Sequence, residues 1–134
     1  MNGNGTDQII LQSKYPAMFK ISLAAVLLLA SAISFGQTKI SIDSATSHIG
    51  EKVTVCSEVF GVKSTDKVTF INLGKAYPNS PLTLVIFAKD RANFSDTPEK
   101  LFGNKALCAT GVVKEYKGKP EIIISKPEDV IFQQ

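Results

Sequence analysis

The chain has 134 residues, of which 44% are hydrophobic and 20% charged, with a formal net charge of +3. That length holds at most one ordinary domain besides a leader, and the composition is that of a folded chain rather than a disordered one. The charge falls well short of a strongly basic, dedicated polyanion binder. Two cysteines and one histidine are too few for a structural zinc site of their own.

At the N-terminus, Met18-Phe19-Lys20 opens a short basic region, and Ile21–Ile33 (ISLAAVLLLASAI) is an unbroken run of apolar and small residues. Ser34-Phe35-Gly36 follows, with small residues where a cleavage site requires them. The run is shorter than the roughly 20 residues that span a bilayer, so residues 18–36 are expected to be a cleaved signal peptide rather than an anchor. The mature chain is then exported, periplasmic or secreted. No cysteine follows the apolar run, which argues against a lipid anchor. Residues 1–17 lie upstream of the basic region, polar and aperiodic, and are expected to be a non-native or disordered extension. In residues 37–134 the basic residues exceed the acidic by two, close to neutrality.

Thr38–Ile42 begins with a short alternation, and Asp43 or Ser44 is placed to cap a helical turn through Ser47. Lys52–Val62 is the first long strand. Val53, Val55, Ser57 and Val59 form its core parity, and small Ser57 is suited to a sharp bend. Lys63–Lys67 reads as a polar loop. Val68–Leu73 and Leu82–Phe87 are β-branched and aromatic strands. Between them lies a Gly, Pro, Asn and Ser loop containing Gly74, Tyr77 and Pro78. Ala88–Asn93 reads as a loop. Thr97, Pro98 and Gly103 punctuate a short helix as N-cap, first position and stop. Lys105–Val113 is the fourth strand, Lys117-Gly118 the centre of a tight turn, Pro120–Ser125 the fifth strand and Pro127–Phe132 a closing segment. Cys56 and Cys108 both lie inside strands; export permits a disulfide, and burial would equally suit two inert thiols.

Five strands with a short helix between the third and fourth predict an all-β, five-stranded Greek-key barrel, the oligonucleotide/oligosaccharide-binding (OB) fold. Val53-Thr54-Val55-Cys56-Ser57 resembles the first strand of the tRNA-anticodon-binding type of OB domain, which usually has Gly at the position of Ser57. Val68-Thr69-Phe70-Ile71-Asn72-Leu73 resembles its second strand, and Leu107–Val113 with Tyr116-Lys117-Gly118-Lys119-Pro120-Glu121-Ile122 its closing hairpin. In plan the chain is also similar to small exported bacterial OB proteins. The resemblance implies that Phe70 and Asn72 face outward, with Phe70 stacking on a base, and that Ile71 and Leu73 enter the core. It puts Leu84 at a third-strand position that often carries a base-reading Gln, and Phe60-Gly61-Val62-Lys63-Ser64-Thr65-Asp66-Lys67 where an Arg-rich loop is usual. It also makes the strands of Cys56 and Cys108 neighbours in the closed barrel, with both cysteines on the parity opposite the core. A disulfide between them is then geometrically open.

Phe70 reads either as a stacking platform or as a covered barrel residue, and Tyr77 as a ligand-facing ring or a plug over one barrel end. Lys63, Lys67, Lys75, Lys117 and Lys119 fall in loops that reach the binding face, as does Tyr116. They could contact phosphates or be ordinary surface residues. His48, Asp90 and Asp96 have no partner motif, and no nucleophile, P-loop or metal cluster is present in the sequence. The expected function is a non-catalytic exported OB binding module without a cofactor. Single-stranded nucleic acid is the expected ligand class; the alternative is a protein- or glycan-interaction module of the cell envelope. Expression from Met18 in a bacterial host should yield an exported chain whose N-terminus, by mass spectrometry, is Gln37. Recovery solely as an uncleaved, membrane-embedded chain would contradict this reading.

Overall fold

A computed structural model describes residues 36–134. The expectations for residues 1–17 and for the signal peptide up to Phe35 lie outside the described residues. Among the described residues there are seven strands: β1 (Thr38–Ile40), β2 (Lys52–Ser64), β3 (Val68–Leu73), β4 (Leu82–Phe87), β5 (Ala106–Tyr116), β6 (Lys119–Ile123) and β7 (Val130–Phe132). One α-helix, α1 (Pro98–Phe102), lies between β4 and β5, with Thr97 as N-cap.

Five of the strands pair in a ring, β2–β3–β4–β6–β5 and back to β2. All ring pairings are antiparallel except β4 with β6. That closed order, with α1 between the third and fourth ring strands, is the OB barrel. β1 adds in parallel to β2, and β7 adds antiparallel to β5.

The ring closes because β2 and β5 are long enough to serve two neighbours each. β2 pairs with β5 from Lys52 to Glu58, then with β3 from Val59 to Ser64. The register slips between Val59 and Gly61, leaving Phe60 as an extra, half-exposed residue. Such a bulge bends a strand at a barrel corner. The bend therefore falls at Phe60 and not at Ser57, where small size alone had suggested it. β5 turns its corner at Gly111, where a Cβ would stand 2.5 Å from Ile122 Cγ2 of β6. Glycine is required there by the crossing strand.

Alternation fills the barrel. Val53, Val55, Ile71, Leu73, Leu84, Ile86, Leu107 and Ile122 are fully buried, with Phe102 of α1 and Ala45 of a 3-10 turn joining the same core. That turn spans Ile42–His48 with Ser41 as its N-cap, two or three residues earlier than the sequence suggested. Ala88–Asn93, expected as loop, is a second 3-10 turn. β2 runs on to Ser64 and β5 to Tyr116, so Lys63 is a strand residue rather than a loop residue. The β5–β6 turn has positive φ at Lys117 (49°) and Gly118 (78°), the two-residue geometry that matches strand twist.

Cys56 and Cys108 are direct ladder partners and are joined by a disulfide, with a Cα–Cα distance of 3.9 Å. They are 52 residues apart in sequence. Closing a loop of that length restricts the unfolded chain by about 4 kcal/mol in the chain-entropy treatment. Urea denaturation of Cys56→Ala/Cys108→Ala should show a loss of that order; a loss under about 1 kcal/mol would contradict the cross-link's role. Gly111→Ala should destabilise by about 1–3 kcal/mol in the same assay, because Ile122 must move to admit the methyl group.

Candidate binding face

The outer surface of β3, β4 and β6 is set by strand parity. Ladder partners Lys63, Phe70, Val85 and Ile123 form one row across it. Gly61, Asn72, Thr83, Glu121 and Lys114 form the next. Phe70 is half-buried in the first row, beside the nearly covered Val85, with Ile71 and Leu73 in the core. Asn72 faces outward but is only 8% exposed, and its Oδ1 accepts a hydrogen bond from Thr83 Oγ1 at 3.3 Å. Its amide nitrogen lies over Gly61, where an added Cβ would be 3.6 Å away.

Leu84 does not belong to this face. It is fully buried in the core, because the outward positions of β4 are Thr83, Val85 and Phe87. No side chain at position 84 reads a ligand on the outside.

Two loops meet at one end of the face. The β3–β4 loop carries Lys75 and Tyr77, and the β5–β6 turn carries Lys117; Tyr116 and Lys119, expected in a loop, are the paired strand ends that flank it. Lys119 Nζ donates to the Pro78 carbonyl at 2.6 Å and lies 5.6 Å from the centre of the Tyr77 ring. Lys117 Nζ lies 5.4 Å from the Tyr116 ring. One lysine thus ties the two loops together, and the cluster presents two tyrosines to solvent, 78% exposed at Tyr77 and 56% at Tyr116. Tyr77 is no plug. Lysine over an aromatic face is a favourable electrostatic pairing that also keeps the ring oriented.

At the opposite end, Lys67 is exposed in the short loop after β2. Arg91, the single arginine of the chain, holds that loop. Its Nε donates to Thr69 Oγ1 at 3.0 Å and its Nη2 to the Thr65 carbonyl. Ser64 Oγ meets the same Thr69 hydroxyl at 2.9 Å. Ser64, the backbone N–H of Glu99 and, less strongly, the charge of Arg91 hold Glu99 below the usual carboxylate range. The loop that usually carries arginines in the resembled family is therefore held from outside by an arginine of the following 3-10 turn.

Sequence reasoning missed Phe60, Arg91 and Glu121. Phe60 lies opposite the core parity of Val53, Val55 and Val59, and the bulge leaves it without a ladder partner. Glu121 is half-buried in the polar row, and desolvation raises its carboxyl above the ordinary value. Alternation within Pro120–Ile123 places Glu121 outward, but its neighbourhood with Thr83 depends on the parallel β4–β6 pairing. Among the described residues no group of three or more His, Cys, Asp and Glu is arranged to hold a metal ion. An apolar cleft of about 280 Å³ between Phe94, Leu101, Phe102, Val130 and Phe132 shares no residue with the face.

No family model and no curated protein matches the chain. Among solved structures it is similar to an aspartyl-tRNA synthetase from Leishmania major Friedlin, at 12% identity and TM-score 0.47, covering 76% of this chain and 22% of that one. It is also similar to the S. pombe Stn1-Ten1 complex, at 10% identity and TM-score 0.49, covering 62% of this chain and 58% of that one. A third is OBody AM1L10 bound to hen egg-white lysozyme, at 16% identity and TM-score 0.49, covering 74% and 96%. The chain thus spans about a fifth of the synthetase chain.

The raised carboxyl of Glu121 has a defined signature in stability. The folded domain holds this proton more tightly than the unfolded chain, so stability from this group falls as pH rises through the ordinary carboxylate range and levels off above the raised folded value. Glu99 acts in the opposite sense, so the measurement is a difference between wild type and Glu121→Gln. The variant should be the more stable at neutral pH, with the gap closing in acid, by chemical denaturation across that range. A gap that is unchanged with pH would contradict the desolvation of Glu121.

Proposed function

We propose that residues 37–134 form an exported, non-catalytic OB binding module whose outer face takes single-stranded nucleic acid. The observation that carries this reading is the tyrosine–lysine cluster of Tyr77, Tyr116, Lys117 and Lys119 at one end of the face that carries Phe70. Single strands are bound without strong sequence preference by rings that stack on bases and by cations that follow the phosphates. Phe70 has Lys63 as its cross-strand partner, and Tyr77 has Lys119, so each of these rings has a cation beside it. The export part of the proposal rests on the basic region, the short apolar run and the Ser34-Phe35-Gly36 site.

One observation favours the second reading, a protein or glycan ligand. Glu121 puts a carboxylate in the Asn72 row, between Phe70 and the tyrosine end, where it repels phosphate and offers acceptors to hydroxyl or amide donors.

Fluorescence anisotropy with labelled oligonucleotides at low and moderate salt separates the two. Under the proposal, Phe70→Ala weakens binding roughly 5- to 150-fold, the value of about 1–3 kcal/mol for one stacked base. Lys117→Ala costs less and flattens the salt dependence, because it removes at most about one phosphate contact. Absence of binding at about tens of micromolar in low salt, far weaker than the rings and lysines would give, overturns the nucleic-acid reading in favour of the second. Tight binding unaffected by Phe70→Ala moves the site off this row.

A further inference from the structure

Gln37 stands where the leader reading and the fold meet. Ser34 and Gly36 set a cleavage site immediately before it. The compact unit of the chain begins at the same residue, running from Gln37 to Gln134. Gln37 is exposed and lies one position ahead of β1, whose ladder with β2 starts at Thr38 opposite Val53. Its side chain has one long hydrogen bond, accepted by Oε1 from Thr54 Oγ1 at 3.4 Å, close to the limit of such contacts.

We propose that Gln37 is a modification site: once freed by cleavage, it closes to an N-terminal pyroglutamate. This rests on the export reading, since the reaction needs a free α-amine at position 37. A signal peptidase first hydrolyses the Gly36–Gln37 bond with one water. An N-terminal amine titrates near neutrality, about 7.7–8.0, so a sizeable fraction is the unprotonated nucleophile. The amine nitrogen attacks Cδ of its own side chain, forming a Cδ–N bond and closing a lactam. The Cδ–Nε2 bond breaks, and that nitrogen departs as ammonia, carrying off the proton lost by the amine. No oxidant or reductant enters. A glutaminyl cyclase accelerates the same step.

The fold leaves this residue able to react. Ring closure needs rotation within Gln37 and leaves in place the β1–β2 ladder that starts at Thr38; among the described residues, the side-chain hydrogen bond given up is the one to Thr54. The product lacks the ammonium charge on an edge that already carries Lys39 and Lys52, both exposed. It also blocks aminopeptidases at the start of β1, a three-residue edge strand that trimming would erode.

The test uses the chain exported from Met18 in a bacterial host, purified and treated with a glutaminyl cyclase at neutral pH. The expected product begins at position 37, is one ammonia lighter than its sequence and takes no amine label at its α-position. A pyroglutamyl peptidase then exposes Thr38. Gln37→Ala, cut at the same bond, should keep its full mass and take the label. A wild-type product that begins at Gln37 yet keeps full mass and labels after cyclase treatment overturns the modification while leaving export standing. A product that is uncut, or cut elsewhere, overturns both.

Discussion

Two strands in this domain change partners partway along, and the positions of the others depend on how they do it. β2 passes from β5 to β3, and β5 passes from β2 to β6. A strand that serves two neighbours has to turn a corner without crowding the core. β2 does so by inserting Phe60, and β5 by having no side chain at Gly111, where Ile122 crosses. The Cys56–Cys108 disulfide sits on the ladder that joins the two strands, before β2 reaches its corner. It therefore fixes the pairing on which ring closure rests, and it does so chiefly by limiting the unfolded chain.

The bulge at Phe60 also decides what the outer face contains. With it, Val59 opposes Leu73 inside, Gly61 opposes Asn72 outside, Val62 opposes Ile71 inside and Lys63 opposes Phe70 outside. Without the extra residue, every position after Val59 would shift by one and change sides. Lys63 would then point at the core and Val62 at solvent. One inserted residue keeps the lysine beside the ring and gives the surface a further aromatic in Phe60.

Much of this was legible in the sequence, and the reasons for the rest are physical. β3 and β4 are short, bounded by turn residues and regular in alternation, which sets Phe70 and Asn72 apart from Ile71 and Leu73; the resemblance said which pair enters the core, and Ile71 and Leu73 are buried there. The same counting excludes Leu84 from the face; its assignment as a site residue came from the resemblance, and alternation along β4 overrules it. The Lys117-Gly118 turn was readable because its chemistry is local. Glu121 beside Thr83, Lys119 on Pro78 and Arg91 on Thr65 were not, since each joins segments far apart in the chain. No local pattern encodes those contacts before the strand order is known. The corner at Phe60 was hidden for a related reason: a bulge is a relation between two strands, and Ser57 only looked small enough for it.

The charges on the face constrain how any single strand could lie there. Glu121 sits in the Asn72 row, between Phe70 and the tyrosine end, and is already partly desolvated, so a phosphate placed over it would be repelled in a medium that screens poorly. Cations stand to either side, with Lys63 in the Phe70 row and Lys75, Lys117 and Lys119 at the tyrosine end. A backbone that follows those lysines and turns its bases inward keeps negative charge away from Glu121. The same arrangement lays bases on Phe70 and Tyr77 and brings base N–H groups toward the carboxylate. A neutral glycan would satisfy Glu121 through its hydroxyls but would leave the flanking lysines with nothing to neutralise. The pairing of a ring with a cation at Phe70 and again at Tyr77 is thus better matched by a polyanion with aromatic faces than by a neutral chain.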